Sequence, residues 1–489
     1  MKRVSEVVTI DEVKSWKNGD IITISAGTGV GKSYFVKNIL YAHAQKENKK
    51  ILFLIHRRNC VNQFQKEIER DRKKDIIHIK TYQWLEKTHI TTKHFDFSEY
   101  KYIVCDEFHY FMQDAKFNKF TDISLNAILE QKNKIRIFMS ATGDMMKRYI
   151  NNFKKMETID YHIPIKYQFI KNLVFFNKDE SIEQFIHEAI EKNIKAIFFF
   201  DSAEKAYNLY AKHKDYCLFN CSKHNKKYYQ YVNEEKINRM LENERFEELI
   251  LITTTCMDAG VNIIDSELSH IVCDVDDMGT LIQCIGRKRL KENKDGIHLY
   301  IKAINNNVLG GKVKQIQKRI EMARFLRKHS IREYIEKYPR EYDSWNIVYN
   351  DIVEGEEEKS TLKVNDLIYF KCLIDGSLFE SMLREPYGYA KHLAREFGFY
   401  DPDMGYQYTI LDEEYEKQNI DQYLESIVGK KLYKDEQKEL IDKIDLRVDG
   451  RQQRSYKKLN YGLEMIKLSY IILPKKSGSV RYWIVEKVE

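Results

Sequence analysis

Proline is scarce in this chain, five among 489 residues, and tryptophan is scarcer still at four. No run approaches the roughly twenty consecutive apolar residues that a membrane-crossing helix needs, so no membrane is expected among its partners. The opening stretch MKRVSEVVTIDEVKSW also lacks the continuous apolar centre of a secretory signal. The eight cysteines, Cys60, Cys105, Cys217, Cys221, Cys256, Cys273, Cys284 and Cys372, are scattered, several of them inside apolar runs. That excludes a disulfide framework and points to reduced thiols in a cytoplasmic protein. Cys217, Cys221 and His224, with His213 upstream, have the composition of a zinc group. DYCLFNCS reads instead as a buried strand leading into a basic loop, and no zinc is expected. A strong excess of one charge is missing too. Lys plus Arg number 81 against 74 Asp plus Glu, a net +7, which favours a polyanionic partner only where it is concentrated.

The chain does have a long alternation of short apolar runs with amphipathic ones. IITIS, ILFLI, IIHI, YIVC and IRIFM, from residue 21 to 139, are separated by helix-like stretches such as YFVKNILYAHAQK. After a bridging segment at 143–190, AIFFF, YCLFN, LILITT, HIVCD and IHLYI repeat the pattern to residue 301. Apolar strands separated by helices imply parallel sheets covered on both faces. We therefore expect an α/β fold with two tandem domains, 1–165 and 166–305. A helical connector over 306–360 should follow, ending in the acidic run EGEEEK as a linker, and then a C-terminal α+β region over 361–489.

Two motifs carry chemistry directly. AGTGVGKS, residues 26–33, follows a strand and precedes a helix. Gly27, Thr28, Gly29 and Gly31 supply backbone N–H groups for a β-phosphate, Lys32 reaches the β and γ oxygens, and Ser33 is placed to bind Mg2+. Ala26 stands where the first glycine of the pattern would be. YIVCDEFHYF, residues 102–111, ends a strand with Asp106 and Glu107 and adds His109. In a parallel sheet that is where ligands bind: Asp106 is suited to Mg2+, and Glu107 to orienting and deprotonating an attacking water.

With these motifs the chain resembles the superfamily 2 helicases of the D-E-x-H type, which are built on two RecA-like domains, and the remaining motifs of that family follow in order. HRRNCVNQ (56–63) is similar to the first nucleic-acid motif, with Arg58 and Gln63 matching. TYQ (81–83) resembles the motif whose threonine, here Thr81, grips a strand backbone. SAT, Ser140, Ala141 and Thr142, resembles the segment coupling ATP state to domain movement. FFFDSAEKA, with Ser202, and TTTCMDAGVNI, with Thr254 on the strand and Gly260 near the nucleotide, are similar to the fourth and fifth motifs. QCIGRKR (283–289) is similar to the sixth, in which Gln283 and the arginines face phosphates held by the other domain. The family places its arginines fifth and eighth from the glutamine. Here they are fifth and seventh, with Leu290 in the eighth place, so Arg287 and Arg289 both remain candidates for the arginine finger.

The resemblance spans residues 20–305 and implies ATP and Mg2+. It implies no iron-sulfur cluster, because only Cys60 lies between the phosphate loop and the strand carrying Cys105. The tail lies outside it. From Arg447 to Arg481 nine cations, among them Arg451, Arg454, Lys457, Lys458, Lys475 and Lys476, face only Asp449 and Glu464. A helix over KDEQKELIDKI, a second starting at Ser455 as N-cap, and a hairpin turning at KKSG follow the order of a winged helix that meets phosphates. Tyr482 and Trp483 read as hairpin core more readily than as base-stacking residues. The expectation is an ATP-dependent DNA helicase or translocase similar to those of phages, plasmids and mobile elements. The alternatives are an RNA helicase and an ATP-switched DNA-binding initiator or defence-complex subunit that does not unwind.

Overall fold

In a computed structural model of the protein, the backbone is described except at residues 1, 28, 57, 93, 166, 258–261, 290–295, 340–345, 354–358, 449–450 and 489. The side chains of 57–63, 92, 352–360, 415 and 447–451 also lie outside the description. The chain forms two compact units, residues 1–173 with 185–407, and 174–184 with 408–489.

The larger unit carries two sheets. Strands β1 (Ile21–Ala26), β2 (Lys50–Ile55), β3 (Ile77–Thr81), β4 (Tyr100–Asp106), β5 (Ile135–Ser140) and β6 (Ile159–Ile163) pair in the order β3-β2-β4-β5-β1-β6, every pairing parallel. Residues 21–24, 51–55 and 135–140 are buried throughout. A strand covered on both faces has no side for water, which is why these runs are mostly apolar rather than alternating, with Thr23, Arg136 and Ser140 as buried polar exceptions. One face packs on Val4, Val13, Trp16, Phe35, Phe64 and Ile68. The other packs on Phe111, Leu125, Tyr149 and, from far along the chain, Ile316, Ile368 and Phe370.

The second sheet contains β7 (Ile170–Phe176), β8 (Lys195–Phe200), β9 (Cys217–Asn220), β10 (Ile250–Thr254), β11 (Leu268–Asp274) and β12 (Ile297–Lys302), in the order β7-β12-β11-β8-β10-β9. The expected bridging segment is thus not a plain connector, since it supplies the edge strand β6 of the first sheet and β7 of the second. Both α/β lobes form as expected. Cys217 and Cys221 are buried, and among the described residues no group of three or more His, Cys, Asp or Glu is placed to hold a metal ion. No helix among them is long and apolar enough to cross a membrane.

The region after residue 305 differs from expectation. The helix Asn306–Lys328 is followed by an antiparallel pair, β13 (Val348–Val353) and β14 (Lys359–Val364). The acidic run therefore joins two paired strands instead of two domains. The helix Asp366–Met382 packs alongside the helix Asn306–Lys328, so 361–407 belong with the larger unit and the boundary falls at 407/408.

In the smaller unit, helices Leu411–Ile427, Lys434–Ile444 and Tyr456–Met465 and the hairpin Tyr470–Ser477/Val480–Lys487 enclose Leu424, Leu440, Leu459, Leu463, Ile472 and Val485. Helix, helix and hairpin occur in the expected order, with one additional helix in front. Two details change. Ser455 holds the N-cap position but its side chain makes no capping bond. The hairpin turns at Gly478, whose φ is 62°, so Lys475 and Lys476 lie on the strand opposite Tyr482 and Arg481. Trp483 packs against this core, its ring 6.2 Å from that of Tyr456.

Candidate functional site

The loop after β1 has the geometry of an anion cradle. Gly29 and Gly31 adopt φ of 80° and 93°, a region open to glycine at little cost, and Gly31 precedes the first helical turn at Lys32. That turn runs into a π-helical stretch, Phe35–Leu40, a geometry often found beside functional sites. Lys32, 8% exposed, is folded back onto its own loop, donating to the carbonyls of Ala26 at 3.0 Å and Gly27 at 3.3 Å. Its Nζ is 3.6 Å from Glu107 Oε1. Ser33 is exposed beside it, while Thr28 lies outside the described residues.

Asp106 and Glu107 end β4 and begin the turn after it. Glu107 holds φ 49°, which costs a side-chain-bearing residue energy and is sustained by its surroundings. Burial works against ionisation of Glu107 but is outweighed by Lys32, then by the hydrogen bond of His109 and the charge of Arg287, which hold the carboxyl well below the usual carboxylate range. Asp106 has the opposite balance: burial and then the charge of Glu107 push it up to about 7. Its buried Oδ1 meets no hydrogen-bond donor. A buried carboxylate oxygen without a protein partner at the end of β4, in a lobe whose glycine loop also carries the exposed hydroxyl of Ser33, fits a hard divalent cation.

From Glu107 a hydrogen-bonded chain leads into the second lobe. Ser140 Oγ donates to Glu107 Oε2 at 3.3 Å and accepts from the backbone N–H of Thr142 at 3.0 Å. His109 Nδ1 lies 2.7 Å from Ser140 Oγ, and His109 Nε2 lies 2.8 Å from the amide nitrogen of Gln283. One tautomer satisfies every member: Gln283 donates to Nε2, and Nδ1–H donates to Ser140. The second amide proton of Gln283 reaches Thr142 Oγ1 at 3.3 Å. Ala141 sits between the two hydroxyl residues. Close approach here depends on Gly143, where a Cβ would overlap the ring of Phe108.

Gln283 belongs to the helix Met278–Ile285, and the three cations behind it go to three addresses. Ile263 bridges to Lys288, with Ile263 N–H donating to Arg287 O and Arg289 N–H donating to Ile263 O, both at 2.9 Å. This short extended stretch sends alternate side chains to opposite sides. Lys288 is buried and donates to the carbonyl of Asp265. Arg287, 5% exposed, donates from Nε to the Gln283 carbonyl at 3.0 Å. Arg289 donates to Asn262 Oδ1 at 2.9 Å and to the Gly286 carbonyl at 2.8 Å. Its guanidinium carbon comes within 3.1 Å of where a Cβ on Gly29 would stand, so it lies against the glycine loop of the other lobe. Burial and the neighbouring charge of Arg287 lower its pKa to about 10, which leaves it a cation at neutral pH. Sequence spacing alone did not separate these roles; the strand-like period of two in Arg-Lys-Arg was the available signal.

A cleft of about 2300 Å³ lies in the same unit, with Thr81 and Thr254 on its wall along with His109 and Thr142. Thr81 Oγ1 accepts from the backbone of Trp84 at 3.0 Å, and Thr254 is 7% exposed at the end of β10. Ser202 caps its helix by accepting from Lys205 N–H and lies between two lining residues, Asp201 and Ala203. The described lining carries seven Lys and Arg, among them Lys66, Lys87, Lys223 and Arg319, against eight Asp and Glu, among them Asp114, Asp201, Glu242 and Asp276. His56 lies 3.0 Å from Asp114 Oδ2. Arg58 and Gln63 are on the helix Arg58–Arg70 with side chains outside the description, as is that of Arg451, and Gly260 is outside it altogether. In the smaller unit Arg454, Lys457 and Lys458 are exposed at the start of the helix Tyr456–Met465.

Residues 3–145 match the family described as type III restriction enzyme, res subunit. No curated protein matches. Among solved structures, the chain is similar to the DEAD-box helicase Mss116 bound to single-stranded RNA and UDP-BeF, at 16% identity over 63% of this chain and 71% of that one, with a TM-score of 0.46. It is similar to S. cerevisiae Dbp5 bound to RNA and ADP BeF3, at 16% identity over 60% and 82%, with a TM-score of 0.43. It is also similar to the Mycobacterium smegmatis helicase Lhr bound to single-stranded DNA and AMP-PNP, at 13% identity over 63% and 47%, with a TM-score of 0.42.

Proposed function

We propose that this chain is a superfamily 2 helicase or translocase of the D-E-x-H type, hydrolysing ATP between its two lobes to move along nucleic acid. One observation carries the reading: Glu107, at the end of a first-lobe strand, is wired through Ser140 and His109 to Gln283, while Arg289 from the same second-lobe segment lies against Gly29. A buried network joining two separate glycine- and carboxylate-bearing elements is costly to leave half satisfied, and its members all suit triphosphate hydrolysis.

In this mechanism the N–H groups of the 26–33 loop hold the phosphates and Lys32 releases the Ala26 and Gly27 carbonyls to bind β and γ oxygens. Ser33 and Asp106 would hold Mg2+, which would neutralise phosphate charge. Glu107, kept ionised, accepts the proton of the attacking water. Arg289 stabilises charge developing on the γ-phosphate, and Arg287 supports Glu107 and closes the end of the Gln283 helix. A group of that kind contributes about 10³- to 10⁵-fold in rate. Arg287 is thereby a positioning group and Arg289 the finger. Phosphate release breaks the contact of Arg289, and the Gln283–His109 bond reports that change to the lobe interface.

The strand would pass along the cleft containing Thr81 and Thr254. Because the lining charges nearly cancel, the grip comes from hydroxyl and backbone groups rather than from a basic channel, with Arg58 and Gln63 proposed as further contacts. The concentrated cations are in the smaller unit. Cations at the first turn of a helix beside a hairpin suit the open major groove of B-form DNA better than the deep, narrow one of duplex RNA, which favours DNA over RNA. The test is ATPase activity titrated with single-stranded, duplex and forked DNA and with RNA at fixed salt. Stimulation by DNA together with displacement of a labelled strand is expected. An ATPase indifferent to every nucleic acid would falsify the motor, and stimulation without displacement would favour the ATP-switched binding protein.

A further inference from the structure

The helix Asp366–Met382 belongs to none of the motif segments, yet it sends a buried cation to the start of the Gln283 helix. Lys371, 5% exposed, lies 3.5 Å from Asp277 Oδ2 and 3.0 Å from Asp375 Oδ2. Asp277 is the N-cap of the helix Met278–Ile285, accepting from Thr280 N–H at 3.0 Å. From the first lobe, Gln113 Nε2 reaches Asp277 Oδ1 at 3.5 Å and Lys116 Nζ lies 3.9 Å from Oδ2. Gly279 admits this approach, since a Cβ there would stand 2.5 Å from Gln113 Nε2. Two segments distant in sequence, the Lys371 helix and residues 113–116, thus converge on the carboxylate that caps a third.

We propose that Lys371 is a positioning residue that locks the helix carrying Gln283 against the first lobe, and so sets the geometry of the ATP site; its service to turnover rests on the function proposed above. The helix bearing Lys371 is anchored in the first lobe: Leu367, Ile368 and Phe370 share a core with Phe111, Met112 and Tyr149, and the rings of Phe370 and Tyr149 are 5.4 Å apart. Asp277 belongs to the second lobe, so the pair forms only while the lobes are together. An apolar residue would fill the same space without a desolvation cost, whereas an ion pair adds direction and register. The eight-residue helix beginning at Met278 spans about 12 Å. A tilt at its Asp277 end therefore displaces Gln283 and Arg287 at the other, where misplacement of about 1 Å can cost about a hundredfold in rate. Asp375 and Lys116 complete a balanced set of two anions and two cations, which lets the pair sit in a buried place.

The test uses the full chain with spin labels on N133C and E235C, exposed positions on the two lobes, and reads the distance distribution between them without nucleotide. K371M is expected to broaden that distribution and K371R to restore it; a K371M distribution identical to that of the unsubstituted chain overturns the proposal. If K371M fails to fold, D277N carries the same expectation from the other side of the pair. ATPase turnover supplies the second readout. K371M should lower kcat about tenfold to a hundredfold with the KM for ATP nearly unchanged and recovery in K371R, and full turnover in K371M would overturn the link to catalysis. An unsubstituted chain with a narrow distribution but no ATPase would refute the proposed function while leaving the lock standing.

Discussion

The amide of Gln283 lies 2.8 Å from Nε2 of His109, so a second-lobe glutamine holds the tautomer of a first-lobe histidine that in turn orients the hydroxyl beside Glu107. Removing the amide leaves a buried histidine nitrogen without its donor, which costs about 1–3 kcal/mol. Gln283→Ala should therefore lower turnover by about ten- to a hundredfold while ATP still binds. Single-turnover hydrolysis compared with equilibrium binding of a fluorescent ATP analogue checks this, and equal loss in both would refute it.

Arg287 and Arg289 differ in what their loss should do. Arg289→Ala removes the cation lying on the phosphate loop and should lower kcat by about 10³-fold or more. Arg287→Ala removes one of the charges holding the Glu107 carboxyl down, so that pKa rises and the acid limb of the kcat/KM profile moves to higher pH. A pH–rate profile of each variant separates the two. An unmoved acid limb in Arg287→Ala, or one moved equally in both, would remove the distinction.

Gly143 tests how tightly the SAT segment must approach the D-E-x-H turn. A methyl group at 143 overlaps the buried ring of Phe108, and overpacking of that kind costs about 1–3 kcal/mol. Gly143→Ala should lower the thermal midpoint measurably in a calorimetric scan, whereas Gly310→Ala, where a Cβ meets nothing within 4 Å, should not lower it.

What could be read from the sequence follows what each residue answers to. β1, β2, β4 and β5 are buried on both sides, so their apolar runs announced them. The edge strand Ile159–Ile163 is mostly exposed and carries IDYHI, which has no such run, and the acidic run between β13 and β14 resembled a linker because a strongly charged connection looks alike in either setting. The positions of Lys32, Asp106 and Glu107 were legible because a glycine loop and a strand end fix such groups locally, whereas Gln283, inside the helix Met278–Ile285, was singled out only by the resemblance of QCIGRKR to a family motif. Lys371 and Asp277 were not, since they stand far apart along the chain and nothing local marks either as a partner of the other. The roles within Arg-Lys-Arg depended on the bridge to Ile263, a pairing that spacing within the motif does not reveal.

Two histidines give the second lobe a pH dependence. His270 and His298 stack with ring centroids 4.7 Å apart, and burial, followed by the charge of His298, lowers the His270 pKa to about 4. With the folded pKa below the unfolded 6.5, the native state disfavours the charged form. The stabilisation is complete above pH 6.5 and is lost as pH falls toward 4. His270→Phe keeps the ring against Tyr300 and Phe185 and should flatten the dependence of the thermal midpoint between pH 6.5 and 4.5; an equally steep decline would place the acid sensitivity elsewhere.

The cations of the smaller unit answer to salt. Arg454, Lys457 and Lys458 are exposed and adjacent at one helix start, and each phosphate they neutralise should contribute about 0.9 to the slope of log affinity against log salt for duplex DNA, or about 0.7 for a single strand. Converting one of them to alanine should weaken binding similarly across sequences and reduce the slope by about that amount. The cleft threonines make no charge contact, so Thr81→Ala and Thr254→Ala should lower strand-stimulated turnover without changing the slope. The size of the slope change therefore counts the phosphates that the tail touches, and a slope indifferent to all three cations would assign them to a solvated surface and leave the grip on nucleic acid to the cleft alone.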